Sequence, residues 1–258
     1  MDFNYLLILS VLGLFSGFLA GIFGIGGGTV LVPIIRAFGY TPVQAVATSS
    51  LAIIMTSISG SIQNWRMGYL NFRRVILLGL PAIATAQIGA VLASNIPGYI
   101  LLIAFGIFLI INIFLTNLRR RLITTNFENR ETATNPSVAR LLTGGTAGFL
   151  AGLFGIGGGV IMVPLQMLLL GEKIKVAIQT SLGVIVITSI SACLGHAYQG
   201  NILWLEGIIL GLGGLVGAQV STRFLPKLPD KVVSLGFNIL LGILSTYIFW
   251  QAWQIFKL

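Results

Sequence analysis

Residues Leu19 to Pro33, LAGIFGIGGGTVLVP, recur from Leu150 to Pro164 as LAGLFGIGGGVIMVP, 131 positions later. Eleven of the fifteen positions are identical, so the chain is a duplication. Each copy reads as a helix approaching its end, a run of three glycines, and a short apolar segment bounded by a proline. Glycine adopts backbone angles that other residues avoid. The runs Gly26-Gly27-Gly28 and Gly157-Gly158-Gly159 therefore predict breaks between helical segments.

What surrounds the breaks is apolar. Hydrophobic residues make up 56% of the 258 positions and charged residues 8%, with a mean hydropathy of +0.98, outside the range of soluble domains. The composition defines an all-α polytopic membrane protein whose surroundings are the lipid bilayer. The six acids, Asp2, Glu128, Glu131, Glu172, Glu206 and Asp230, lie at the ends of apolar runs or between them, so the net charge of +9 comes from basic loops. Such a distribution fits membrane orientation and excludes a nucleic-acid partner. Cys193 is alone in an apolar run, which excludes an intrachain disulfide or a cysteine metal cluster. The start, MDFNY, lacks a basic region, and the segment after it recurs mid-chain, so it does not read as a cleaved signal peptide.

Five apolar runs fill the first half, residues 1–118: Tyr5–Gly24, Thr29–Phe38, Pro42–Asn64, Phe72–Ala93 and Gly98–Leu118. They recur in the second half, residues 138–258, as Val138–Gly155, Val160–Leu170, Val176–Gly195, Ile202–Leu225 and Val232–Phe256. Runs of about 20 residues, at ~1.5 Å each, cross a ~30 Å hydrocarbon core, whereas the segments after each glycine run reach roughly half way. The expected unit is a glycine-broken re-entrant pair followed by three transmembrane helices. Residues 119–137 form a polar linker between the halves.

Unwound backbone at bilayer depth survives only where protein covers it or where it lines a wet cavity. A helix N-terminus facing such a cavity carries partial positive charge and free N–H donors, which suits an anion. The alternative is that the glycines only let helices pack closely. Paired interrupted segments in two halves point to a transporter site.

The repeat extends further. Gly13, Gly17 and Gly21 correspond to Gly144, Gly148 and Gly152, a GxxxGxxxG face for close helix packing on each first helix. Ser49-Ser50-Leu51 aligns with Thr180-Ser181-Leu182, and after one inserted residue Gly79, Ala86 and Gln87 align with Gly211, Ala218 and Gln219.

Counting Lys and Arg sets the orientation. If each broken pair returns to its own side, the halves are inverted repeats and thirteen basic residues share one side, leaving only Arg36 and Lys257 on the other. If each pair makes a single crossing, the halves are parallel and the count is nine against six. The first arrangement obeys the positive-inside rule better, with the linker in the cytoplasm and both termini outside the cell membrane. Tyr5–Gly24 is long enough to cross fully, so its hairpin must be tilted or deep.

Polar residues within the apolar runs mark a path. Ser50, Ser57, Ser61 and Asn64 share one helical face, and the aligned face of the second half carries Ser181, Thr188 and Gly195, with His196 one step on. Membrane hydroxyls often bond their own preceding carbonyls, which is the structural alternative. The amides of Gln87 and Gln219 need partners, either across the bundle or in the cavity. Arg36, aligned with Met167, either snorkels to the headgroups or attracts anions.

The doubled GxFGxGGGxxxVP motif, followed by a [ST]-S-L segment, resembles the TauE/SafE family of membrane permeases, often described as sulfite exporters. The match spans essentially the full chain. The resemblance implies a permease that moves sulfite, sulfoacetate or related sulfonates and small organic anions. The residues themselves suggest an anion held at the midplane by N–H groups of Gly26, Gly27, Gly28, Gly157, Gly158 and Gly159. Hydroxyls of Ser49, Ser50, Thr180 and Ser181 and the amides of Gln87 and Gln219 would support it. Neutral donors suit a permease, because transport needs binding weak enough to let go. No cofactor or metal is expected. An anion channel is the alternative. An intramembrane hydrolase lacks support, since His196 is the only histidine, sits at a helix end, and has no G-x-S-G context nearby. Glu206, near the start of a run, is the only acid close to the membrane interior, so coupling to a buried carboxylate is not expected. Electrogenic export, with His196 not required for coupling, is the expectation.

Overall fold

A computed structural model describes residues 3–124 and 135–256 of the chain. Ten α-helices follow in order: α1 Phe3–Phe23, α2 Gly28–Ala37, α3 Pro42–Arg66, α4 Phe72–Asn95, α5 Gly98–Thr124, α6 Pro136–Phe154, α7 Gly159–Leu169, α8 Ile174–Tyr198, α9 Trp204–Phe224 and α10 Asp230–Phe256. A 3₁₀ turn, Leu225–Lys227, precedes α10. Eight of these helices are long and apolar enough to cross a membrane; α2 and α7 are the short ones. Helix α5 continues through Arg119–Arg121, so part of the expected linker is helical, and residues 125–134 of it lie outside the described residues.

Local chemistry sets the helix starts. Before α3, Thr41 Oγ1 accepts from Gln44 N at 3.3 Å while Gln44 Oε1 accepts from Thr41 N at 3.0 Å, a closed capping box ahead of Pro42. Asn71 Oδ1 caps α4 by accepting from Arg74 N at 3.1 Å, and Asn135 Oδ1 caps α6 by accepting from Ser137 N at 3.0 Å. Helices α2 and α7 instead start on Gly27 and Gly158, with no side-chain cap.

Each glycine break folds its two helices into a hairpin. Tyr5 Oη lies 3.2 Å from Tyr40 Oη, and the Tyr5 and Phe38 rings meet edge-on at 5.6 Å, so the end of α2 returns beside the start of α1. In the second half, Pro136 and Arg140 at the start of α6 line one cavity with Gln166 and Leu170 at the end of α7.

The GxxxGxxxG faces bring backbones together. A Cβ on Gly13 or Gly17 would fall 2.2 Å and 2.0 Å from the carbonyl oxygens of Leu210 and Gly214, and one on Gly21 3.0 Å from that of Ala218. Contacts that advance one turn on both helices make α1 and α9 parallel. Gly144, Gly148 and Gly152 meet the carbonyls of Leu78, Ala82 and Ala86 at 2.1, 2.3 and 2.0 Å in the same way, so α6 is parallel to α4. Helix α3 also runs with α9, as Leu51 against Gly207 and Thr56 against Gly214 require, and α8 runs with α4 through Val75 against Gly183 and Ala90 against Gly195. Helices α3 and α8 cross the centre in opposite directions, since Gly60 packs on Leu182 while Ala47 packs with Cys193. On the flank, α5 and α10 are antiparallel, with Gly106 on Phe249 and Asn117 bonded to Asn238 at 3.0 Å.

The structure also corrects the alignment of the halves. Helices α3 and α8 have 25 residues each and start at 42 and 174, so the offset of 132 positions, expected only from Gly79 onward, already holds from the start of α3, whereas the glycine motifs keep 131. The extra residue belongs to the α7 hairpin, since α7 has 11 residues against 10 in α2. Ser49 therefore pairs with Ser181, Thr48 with Thr180, and Asn64 with His196.

Candidate functional site

The glycine breaks require left-handed backbone. Gly26 and Gly27 have φ of 71° and 88°, and Gly157 and Gly158 of 70° and 78°, while Gly24 and Gly155 are at 66° and 63°. Side chains other than glycine pay roughly 1–2 kcal/mol for such angles.

The two breaks meet at the centre of the molecule. A Cβ on Gly28 would lie 2.4 Å from the Gly155 carbonyl oxygen, and one on Gly159 would lie 2.2 Å from that of Gly24, so each break packs its backbone on the other. Serines tie the contact reciprocally. Ser49 Oγ shares its proton between the Gly155 carbonyl at 2.7 Å and Val46 O of its own helix at 2.8 Å, and Ser181 Oγ shares its proton between the Gly24 carbonyl and Ile178 O, both at 2.8 Å. Ser16 Oγ donates to the Gly27 carbonyl at 2.9 Å, and Thr188 Oγ1 to that of Gly157 at 2.7 Å. The carbonyls of the breaks are thus held by hydroxyls. Val30 N and Leu31 N turn back to the Gly27 carbonyl at 3.0 Å, while the N–H groups of Gly28 and Thr29, and of Gly159 and Val160, have no acceptor within their own helices.

Of the residues that the sequence singles out, the structure gathers Gly26, Gly27, Gly28, Gly157, Gly158, Gly159, Ser49 and Ser181 at this crossing. Ser50 is buried beside them, but its Oγ donates to Val46 O of its own helix at 3.0 Å. Thr180 is buried next to Ser181, and its counterpart Thr48 accepts from Leu203 N at 3.0 Å. The two glutamines stand elsewhere. Gln87 Nε2 donates to the carbonyl of Ser191 at 2.6 Å between α4 and α8. Gln219 Nε2 donates to Gln63 Oε1 at 2.9 Å, and its Oε1 accepts from Ser59 Oγ at 3.1 Å, between α9 and α3. Gln87–Ser191 and Gln219–Ser59 are counterparts at the 132-residue offset, so the amides bond across the bundle.

Two features of the centre, and the burial of two residues at helix ends, go beyond what the sequence marks. Ile53 and Ile185, counterparts at the 132-residue offset, cover the glycines: a Cβ on Gly26 would meet their Cγ2 atoms at 3.0 and 3.1 Å, and one on Gly157 at 3.2 and 2.7 Å. In this form the crossing is closed by apolar side chains. Thr29, in the first turn of α2, is fully buried and its Oγ1 has no partner. The motif alignment shows Thr29 only as a difference from Val160. Asn64 and His196 are also fully buried, although both stand at the ends of their helices. Among the described residues, no group of three or more His, Cys, Asp or Glu could hold a metal ion.

Eight long apolar helices and two short ones that start on glycine breaks define a multi-pass membrane protein. The chain belongs to the TauE/SafE family, described as sulfite exporter TauE/SafE, whose pattern matches residues 9–248. Among its relatives is the probable membrane transporter protein YunE of Bacillus subtilis, 27% identical over 95% of this chain and 97% of its own. A probable membrane transporter protein of Methanocaldococcus jannaschii is likewise 27% identical, over 96% and 97% of the two chains. One from Haemophilus influenzae is 31% identical over 70% of this chain and 68% of its own.

Proposed function

We propose that the protein is a secondary permease for small anions, of the class of sulfur oxyanions and organosulfonates such as sulfite or sulfoacetate. It binds them where the two glycine breaks cross. The observation that carries this reading is the reciprocal contact of Gly28 with Gly155 and Gly159 with Gly24. The starts of two short helices touch there, and the partial positive charge of each helix start supports an anion at the crossing. No Lys or Arg lies between Ala37 and Gln63 or between Val176 and Leu203, so an anion at the crossing would meet neutral donors that release it readily.

The halves act as inverted-topology repeats. Every long helix of the first half runs opposite to its counterpart in the second, which supports a site reached from alternate sides. The linker is cytoplasmic and both termini are external, as the thirteen-to-two distribution of basic residues favours. Opening one side would part Ile53 or Ile185 from the glycines and admit the substrate.

The test is a thermal-shift screen of purified protein against sulfite, sulfate, thiosulfate, sulfoacetate, phosphate and short carboxylates, followed by efflux of the stabilising anion from proteoliposomes. A shift with one or more sulfur anions, and efflux that Gly27→Val abolishes, is the expected result. Efflux unchanged in both Gly27→Val and Gly158→Val removes the crossing from the mechanism. Conductance far above carrier turnover would make it a channel.

A further inference from the structure

Helices α3 and α8 leave the glycine crossing in opposite directions, and each carries a matched row of residues away from it. On α3 the row is Ile53, Ser57, Gly60 and Asn64; on α8 it is Ile185, Ser189, Ala192 and His196, each 132 positions later. The spacings of four, three and four keep each row on one helical face. Each row starts at the isoleucine that covers the glycines and ends at a polar side chain with no solvent exposure.

Both terminal side chains have unused hydrogen-bonding capacity. Neither Oδ1 nor Nδ2 of Asn64 has a partner. Gly60, one turn earlier, faces Thr222 Oγ1 at 3.3 Å from its would-be Cβ, and that buried hydroxyl is unpartnered too. His196 Nε2 lies 2.8 Å from the Gly152 carbonyl oxygen, and its Nδ1 has no partner. Buried polar groups are nearly always satisfied, and leaving one unsatisfied is costly. Two such residues at counterpart positions, on opposite sides of one crossing, call for a ligand that is present only part of the time.

We propose that Asn64 and His196 are the two end ligands of a path for a small oxygen-bearing anion, one on each side of the glycine crossing. This rests on the anion-permease reading. At the first end, Asn64 Nδ2 and the Thr222 hydroxyl supply neutral donors. The second end differs in chemistry. The Gly152 carbonyl can only accept, so Nε2 of His196 carries the proton and neutral His196 is left with a lone pair at Nδ1 that meets no donor. An anion binds there only when Nδ1 gains a proton and becomes a cationic donor. One end therefore takes the anion alone, and the other takes the anion together with a proton, in contrast to the expectation from the sequence that His196 is not required for coupling.

Few charged groups compete. The helices packed around this turn are α6, which presents Gly152, α4, which presents Gln87 and Ala90 to Gly195, and α3, which presents Ala47 to Cys193. No Asp, Glu, Lys, Arg, Tyr or His occurs in residues 141–154, 75–95 or 42–63 of these helices, or anywhere in α7. Helices α1 and α10 meet α8 near its start, at Gly24 with Ile178 and Asp230 with Lys175. On α8 itself, Cys193 lies one turn before His196.

The test uses the full chain in a Cys193→Ala background, with Asn64→Cys, His196→Cys and, as an equally buried control facing α9, Ala52→Cys. Oriented membrane vesicles are exposed from either side to a sulfonate-bearing methanethiosulfonate. Asn64→Cys and His196→Cys should react from opposite sides, each several-fold faster than Ala52→Cys. Reaction of both from one side, or no faster than the control, overturns the proposal. If a trimethylammonium reagent outruns the sulfonate at both positions from opposite sides, the anion reading fails while the path ends stand. His196→Asn supplies a second arm. Wild-type efflux of sulfoacetate should rise with acidity on the His196 side, over the range where its own charge is constant, and His196→Asn should transport without that rise. An unchanged pH profile in His196→Asn overturns the proton's role at that end.

Discussion

Ser181 donates a 2.8 Å hydrogen bond to the carbonyl of Gly24, which stands 157 positions earlier in the chain. Ser49 returns the bond from the other half, to Gly155 at 2.7 Å. The same relationship, made twice with the halves exchanged, locks two helix breaks that neither half could cover alone.

Removing either serine hydroxyl should therefore cost more than removing the neighbouring one. Ser49→Ala and Ser181→Ala each leave a buried carbonyl without its cross-half donor, a loss of about 1–3 kcal/mol. Ser50→Ala only deletes a bond to its own helix, at Val46 O, and should change stability little. Thermal unfolding in detergent, compared across the three variants, checks the order. An equal loss from Ser50→Ala would show that the cross-half bonds carry no special weight.

The glycines at the helix starts should not be equivalent. A Cβ on Gly27 first meets the side-chain oxygen of Ser16 at 2.6 Å, which can rotate away, whereas one on Gly158 meets the backbone oxygen of Ala147 at 2.4 Å. Both replacements also pay the left-handed penalty of roughly 1–2 kcal/mol. Gly27→Ala should thus lower the melting temperature less than Gly158→Ala, and Val at either position should abolish transport.

Orientation can be read directly. A reporter fused after Leu258 should be active only outside the cytoplasm, and one inserted near Asn129 should report the cytoplasm. The same compartment for both would refute the inverted arrangement.

A further prediction concerns the outer end of the first hairpin. Tyr40 Oη donates to Glu206 Oε1 at 2.8 Å, and Glu206 is buried at the start of α9. The hydrogen bond with Tyr5 first, then burial and the bond to Glu206, hold the Tyr40 phenol well above its ordinary range. A raised value means that the folded state keeps the proton. The contribution is therefore complete below about pH 10, the ordinary phenol value, and is lost as pH rises beyond it. Tyr40→Phe leaves the Glu206 carboxylate without this donor and should cost about 1.5–3 kcal/mol, measured by thermal unfolding at neutral pH. At the 132-residue offset the same position is held by Glu172 and Arg74, an ion pair of 3.0 Å whose arginine side chain is 42% exposed. Arg74→Gln should cost no more than about 1 kcal/mol.

Much of this architecture is legible in the chain itself. Hydropathy marks the ten segments to within a few residues, and the doubled glycine runs mark both breaks, because helix length, apolar content and left-handed glycines are local properties. What depends on contact between distant segments is not legible. From the sequence the serines align one residue out of register, since a single insertion within the α7 hairpin leaves the motif on either side intact yet turns a helix by ~100° and exchanges the face it presents. The pairing of Ser49 with Ser181 rests on the matched starts and lengths of α3 and α8 and on the reciprocal bonds the two serines make. Likewise Gln87 and Gln219 could have faced the centre or a neighbouring helix, and packing sent both to a neighbour. His196 and Asn64, near helix ends in the sequence, are fully buried in the structure; α6 reaches His196 through the Gly152 carbonyl, and α9 packs on Gly60 one turn before Asn64. Local propensity determined the segments and their breaks; the tertiary structure decided which faces meet, because that choice is made by close packing between residues more than a hundred positions apart.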